Sequence, residues 1–165
     1  MAALLTNKPK NRAKVVAIIL AGGEAQRLGK TNKALVKVAD KTLVRLILER
    51  LERQAEHVLI SSSKKHSDEF KGLGLPVFTD ELPDFEGPIS GIMTSFKTLE
   101  RLAYDYEWLA VFSTDVPVIP TDTIERLLSE ADDDTPLVLA RSQNQLHYCV
   151  SLWRCLLYTS DAADD

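Results

Sequence analysis

The sequence has 165 residues, of which 45% are hydrophobic and 27% are charged. This length is typical of one globular domain, and the composition excludes an intrinsically disordered chain. The 20 lysine and arginine residues against 24 aspartate and glutamate residues leave a net charge of −4, which excludes the strongly basic surface of a nucleic-acid-binding protein.

No segment predicts insertion into a membrane or export from the cell. The longest apolar run, residues 15–21, is far shorter than the ~20 residues that a transmembrane helix requires. The first residues of the chain lack the basic and apolar regions of a secretory signal. The cysteines, Cys149 and Cys155, match neither a zinc-site spacing nor a disulfide framework. We therefore expect a cytoplasmic protein.

Short apolar runs alternate with stretches of helical periodicity along the chain. The runs predict strands over residues 14–20, 57–60, 76–79, 108–112, 136–140 and 147–153. The periodic stretches predict helices over residues 41–55 and 123–130, and a helix that follows residues 88–92 and ends at residue 102. This alternation is typical of βαβ units, so we expect an α/β fold in which helices cover both faces of a mostly parallel sheet.

A glycine-containing loop, Leu20-Ala21-Gly22-Gly23, directly follows the first predicted strand. Glycines allow a sharp turn there and let backbone N–H groups approach an anion closely. Arg27 and Lys33 follow, and two cations beside exposed amides predict a site for a triphosphate. The segment is neither a Walker A motif nor a G-x-G-x-x-G motif. A plain strand-to-loop turn with basic surface residues is the alternative interpretation.

Two aspartates, Asp80 and Asp115, each end a predicted strand. Ligands of open α/β sheets bind at the carboxyl ends of the strands. A carboxylate there, across from a phosphate-binding loop, has the chemistry to hold Mg²⁺, which takes one or two carboxylates together with phosphate oxygens. The alternative for both residues is a structural role in a turn or a helix cap.

Three further features have weaker signals. Gly87-Pro88-Ile89-Ser90-Gly91 predicts either a close backbone approach to a ligand or the turn that starts a helix. Ser61, Ser62 and Ser63 lie at a strand end and could contact a base or a ribose, although serine-rich loops are common. His147 has no sequence context of a catalytic triad, so we interpret it as structural.

Taken together, these segments resemble the molybdenum cofactor guanylyltransferase family of the nucleotidyltransferase superfamily. The resemblance rests on five segments in this order: Leu20-Ala21-Gly22-Gly23, Arg27, Asn32-Lys33, Asp80 with the Gly87–Gly91 segment, and Ser113-Thr114-Asp115-Val116-Pro117. It covers about residues 14–154. It implies a Rossmann-like α/β/α fold of three layers, of the nucleotide-diphospho-sugar transferase type.

The chain departs from the family pattern at three positions. The family has Asp before the loop lysine, where this chain has Asn32, and Asn after the second strand, where this chain has Ser63. The family also has Pro after a later His, where this chain has Tyr148. The first departure removes one negative charge near the phosphates.

The resemblance implies Mg²⁺-dependent transfer of GMP from GTP to molybdopterin or Mo-molybdopterin, with release of pyrophosphate. It implies that Arg27, Lys33 and Asp115 act in catalysis and that Asp115 holds the metal. Nucleotide contacts are implied for Leu20, Ala21, Gly22, Gly23, Lys33, Ser63, Asp80 and Asp115. It also implies that Gly87, Pro88 and Gly91 contact the acceptor or form the loop beside it. The alternatives are a related enzyme that uses CTP or another phosphate acceptor, and a non-catalytic nucleotide-binding fragment.

The same resemblance predicts how the chain is divided. A flexible lead-in over residues 1–13 precedes a nucleotidyltransferase domain over residues 14–155, which is incomplete at its C-terminus. Residues 156–165 resemble a translated sequencing-adapter tail, so we expect them to be artefactual. We expect a monomer whose partners include the molybdenum-insertion protein and apo-molybdoenzymes, with no nucleic acid and no membrane among them.

Overall fold

The computed structural model of the chain describes residues 14–25, 31–79, 87–102 and 105–155. The predicted lead-in over residues 1–13 and the predicted tail over residues 156–165 lie outside these ranges. Arg27 and Asp80 also lie outside the described residues.

The predicted strands and helices are confirmed, with shifts of a few residues at their ends. The strands are β1 Val15–Leu20, β2 Glu24–Ala25, β3 Thr31–Asn32, β4 Lys37–Val38, β5 Lys41–Thr42, β6 His57–Ser62, β7 Val77–Thr79, β8 Trp108–Ser113, β9 Leu137–Ser142 and β10 Gln145–Arg154. The α-helices are α1 Leu43–Leu51, α2 Pro88–Arg101 and α3 Thr123–Ser129, and two 3₁₀ helices span Lys33–Leu35 and Ser67–Leu73.

Helix α1 begins two residues later than its periodicity predicts. Lys41 and Thr42 instead pair as β5 with β4 in an antiparallel hairpin. Ala39 in the turn of this hairpin has a φ of 56°, and a positive φ is characteristic of tight hairpin turns. The local pairing therefore prevails over the helical pattern at these two residues.

A six-stranded sheet forms the middle layer, in the order β7-β6-β1-β8-β10-β9. The pairs of β1 with β6, β1 with β8, and β6 with β7 are parallel. Strand β10 is antiparallel to both of its neighbours, β8 and β9. The expectation of a mostly parallel sheet is therefore confirmed, with β10 as the strand that runs against the others.

The core lies on both faces of this sheet. On one face, α1 and α3 pack their apolar side chains, among them Leu48 and Leu127, against the strands. On the other face, α2 contributes Ile92 and Phe96. The central strand β1 is buried on both faces, which explains its uninterrupted apolar sequence. Among the described helices, none has the length and apolar character needed to cross a bilayer.

Register within the sheet determines where the loops meet. Leu20 at the end of β1 lies opposite Ser61 of β6 on one side and opposite Ser113 of β8 on the other. Because these three strands are parallel and in step, the segments that follow them emerge at one edge of the sheet. The glycine loop, Ser63 and Asp115 are therefore neighbours.

The buried face of α1 provides a test of this packing. Leu48 is 0% exposed, so Leu48→Ala leaves a cavity and should lower the free energy of unfolding by about 2–5 kcal/mol. Arg50→Ala, on the exposed face of the same helix, should change it by less than about 0.5 kcal/mol. Urea denaturation followed by circular dichroism measures both values, and equal losses in the two variants would contradict the described packing.

Candidate functional site

A cavity of about 370 Å³ opens at the carboxyl ends of β1, β6 and β8. It is lined by Leu20, Gly22, Gly23, Ser61, Ser62, Ser63, Gly87, Pro88, Gly91, Ser113, Thr114 and Asp115. A larger cavity of about 940 Å³ lies beside β7 and α2. The smaller one is the candidate site because it lies at the edge where open α/β sheets bind ligands and because most of the described predicted site residues line it.

The glycine loop forms one wall of this cavity. Ala21 N–H donates a hydrogen bond of 2.8 Å to Ser61 O, which ties the loop to β6. A Cβ on Gly22 would lie 3.3 Å from the backbone nitrogen of Ser63, so this position favours glycine because the two chain segments approach closely. The loop is thereby held in place while it lines the cavity.

An ion pair between Lys33 Nζ and Asp115 Oδ1 joins the two sides of the site. The partners are 82 residues apart in the sequence. Their side chains are 40% and 64% exposed, so the pair adds little to stability and stays accessible to a ligand. The backbone supports both ends, because Lys33 N–H donates to Gly23 O at 3.1 Å and Asp115 N–H donates to Ser113 Oγ at 3.2 Å.

The start of α2 forms another wall. Gly87 precedes the helix with a φ of 84°, and Pro88 occupies the first helical turn. A Cβ on Gly91 would lie 2.8 Å from Leu20 Cδ2 and 2.9 Å from Ser61 Oγ. The interpretation of this segment as the start of a helix is therefore confirmed. The segment also lines the cavity, and its approach to a ligand stays a prediction.

Small hydroxyl side chains complete the lining. Ser62 Oγ donates to Ser63 O at 3.3 Å, whereas Ser63 Oγ is buried and has no hydrogen-bond partner within the described ranges. Ser61, which belongs to the strand-end serines singled out in the sequence, also lines the cavity. So do Ser113 and Thr114, which had no individual role in the sequence analysis. Their position at strand ends was the signal that could have identified them.

His147 lies apart from the site, whereas Cys149, to which the sequence analysis gave no role, lies near it. His147 Nε2 contacts Ser142 Oγ at 2.6 Å, in a separate cavity beside α3. Burial raises the pKa of the Cys149 thiol, and the negative charge of Asp115 raises it further. The contribution of Asp115 places Cys149 near the site. No sequence spacing signals this proximity, which arises from the antiparallel pairing of β10 with β8.

The donor set at the cavity includes one carboxylate that suits Mg²⁺. In the part of the chain that the structure describes, no group of three His, Cys, Asp or Glu side chains could hold a metal by itself. Asp115 supplies one hard carboxylate at the cavity and already has a cation, the Lys33 ammonium, beside it. One carboxylate plus phosphate oxygens is a usual Mg²⁺ environment, so these residues fit a metal that arrives with a nucleotide.

Comparison with known proteins identifies the family. Residues 17–164 match the model of the MobA-like NTP transferase domain. The chain belongs to this family. The chain is 31% identical over 142 residues to the molybdenum cofactor guanylyltransferase of Rhodopseudomonas palustris (strain BisB5). The aligned segment covers 86% of this chain and 67% of that protein.

Two more comparisons agree with this membership. A molybdenum cofactor guanylyltransferase of Haemophilus influenzae is 35% identical to this chain over 124 residues. These residues cover 75% of this chain and 62% of the relative. The chain thus spans roughly two thirds of the length of these relatives. The crystal structure of molybdopterin-guanine dinucleotide biosynthesis protein A from Archaeoglobus fulgidus has the same fold, with a TM-score of 0.65, 17% identity, and coverage of 86% of this chain and 68% of that one.

Thiol labelling tests the proximity of Asp115 to β10. The thiolate is the reactive form, and a raised pKa lowers its fraction at a given pH. Asp115→Asn removes one cause of the raised pKa of Cys149, so maleimide labelling at pH 8 should become faster. Cys155→Ser in every sample removes the other thiol, whose pKa burial raises to about 12. Asp122→Asn is the matched control and should leave the rate unchanged; an unchanged rate in Asp115→Asn would contradict the proximity.

Proposed function

We propose that the chain transfers GMP from GTP to the terminal phosphate of molybdopterin or Mo-molybdopterin and releases pyrophosphate. The observation that supports this most directly is the cavity in which the glycine loop lies beside the Lys33–Asp115 pair. The names of the relatives, which are molybdenum cofactor guanylyltransferases, support the choice of nucleotide and acceptor.

In the proposed reaction, an oxygen of the acceptor phosphate bonds to the α-phosphorus of GTP. The bond from that phosphorus to the oxygen bridging it to the β-phosphate breaks, and the electron pair leaves with pyrophosphate. The acceptor is already anionic at neutral pH, so no general base is required.

Catalysis of this kind depends on positioning and on neutralising charge. Lys33 and the amides of Gly22 and Gly23 would stabilise the charge that develops on pyrophosphate, and Arg27 would join them. Lys33 must exchange Asp115 for a phosphate when GTP binds. Asp115 would then hold Mg²⁺, which when bound neutralises phosphate charge and orients the reacting groups.

The remaining contacts are proposed from the family resemblance. Leu20, Ala21, Ser63 and Asp80 would contact the nucleotide, and Gly87, Pro88 and Gly91 would form the acceptor side. We further propose that the chain acts as a cytoplasmic monomer. The molybdenum-insertion protein and apo-molybdoenzymes would be its partners, since they handle the proposed acceptor and product.

Replacing either member of the ion pair tests the catalytic assignment. Lys33→Ala and Asp115→Ala should each lower kcat by about a hundredfold or more, because each removes a preorganised charge from the transition state. Pyrophosphate release with GTP, Mg²⁺ and molybdopterin measures the rates. Lys37→Ala removes an exposed cation of the nearby hairpin and should have little effect. Normal rates in both site variants would refute the assignment.

Nucleotide binding tests the choice of base. In calorimetric titrations with Mg²⁺, we expect GTP to bind more tightly than CTP, as the relatives' names imply. Lys33→Ala should weaken both nucleotides because they share the triphosphate. Ser63→Ala should weaken GTP by about threefold to tenfold, the usual value of one hydrogen bond, and should affect CTP less. Tighter binding of CTP by the unaltered chain would favour the alternative nucleotidyltransferase.

A further inference from the structure

Asn32 immediately precedes Lys33 and is only 3% exposed. Its backbone pairs with Glu24 in the short antiparallel ladder of β2 and β3. The next residue, Lys33, donates its backbone N–H to Gly23 O at 3.1 Å. Asn32 thus lies where the glycine loop is joined to the segment that carries the proposed catalytic lysine.

The two halves of the Asn32 amide have different surroundings. Oδ1 accepts a hydrogen bond of 3.0 Å from Ala34 N–H and so caps the 3₁₀ helix Lys33–Leu35. Nδ2 is buried and, over the ranges that the structure describes, has no hydrogen-bond partner. The observed contact therefore uses the acceptor oxygen of the side chain and leaves its donor unused.

We propose that Asn32 is a positioning residue of the site, and that its acceptor oxygen keeps Lys33 opposite Asp115. The inference rests on the proposed function, in which Lys33 contacts the phosphates. Ala34 is 0% exposed, so without the acceptor its N–H becomes a buried donor without a partner, which is costly. The helical turn then loosens at Lys33, and a displacement of about 1 Å in a catalytic group can cost up to about a hundredfold in rate.

Two substitutions that keep the Cγ branching of the Asn32 side chain have opposite expected outcomes. Asn32→Leu fills the buried space but has no acceptor, so kcat should fall by about tenfold to a hundredfold, with a KM for GTP within about threefold of the original. Asn32→Asp retains an oxygen that accepts from Ala34 N–H, so its kcat should stay within about threefold. Asn144→Asp makes the same charge change in the exposed turn after β9 and is the matched control.

A double substitution separates positioning from a general structural role. If Asn32 acts through Lys33, Asn32→Leu should lower kcat no further in a chain that already carries Lys33→Ala. Thermal melting verifies folding, and Asn32→Ala serves the same test if the leucine variant does not fold. Equal losses with Leu and Asp, or the same additional loss in the Lys33→Ala background, would overturn the inference.

Hydrogen exchange distinguishes failure of the inference from failure of the proposed function. Exchange at the amides of Lys33 and Ala34 should be faster in Asn32→Leu than in Asn32→Asp, whether or not the chain turns over GTP. If the unaltered chain releases no pyrophosphate while exchange responds in this way, the proposed reaction fails and the positioning contact stands. Unchanged exchange in Asn32→Leu would overturn the positioning contact itself.

Discussion

The site depends on the parallel pairing of β1 between β6 and β8. Leu20 lies opposite Ser61 and Ser113 at once, so three strands end at one level of the sheet. Loops that are about forty and ninety residues apart in the sequence must then emerge side by side. A slip of this register would carry Asp115 away from the glycine loop and break the ion pair that connects them.

In the proposed function, the Lys33–Asp115 ion pair is exchanged for contacts with the nucleotide and the metal. Lys33 and Asp115 are both substantially exposed, and an exposed pair is worth at most about 1 kcal/mol. A triphosphate offers the ammonium a more highly charged partner, and a metal offers the same to the carboxylate. The backbone on each side is fixed by hydrogen bonds from Lys33 N–H and Asp115 N–H, so the exchange needs side-chain motion only.

The sequence predicted the fold well because its signals are local: an apolar run for each buried strand and a helical period for each helix. It predicted where several residues of the candidate site would lie, because Gly22, Ser63 and Asp115 all follow strand ends, where α/β sheets bind ligands. It could not predict that β10 inserts antiparallel between β8 and β9, since pairing across the sheet leaves no local period. The proximity of Cys149 to Asp115 follows from that pairing and was missed for the same reason.

The lining of the cavity combines one charged side chain with many small, uncharged ones. Among its described residues, Asp115 is the only charged one, and Lys33 pairs with it across the site. The rest of the lining is glycine, proline, leucine and small hydroxyl side chains, which offer close backbone approach and hydrogen bonds but no net charge. In the proposed reaction, affinity for phosphates therefore rests on Lys33, Arg27 and loop amides, whereas discrimination among bases rests on hydroxyls such as Ser63. A change of base preference thus needs no change in the phosphate contacts, which is how one fold can serve different nucleotides.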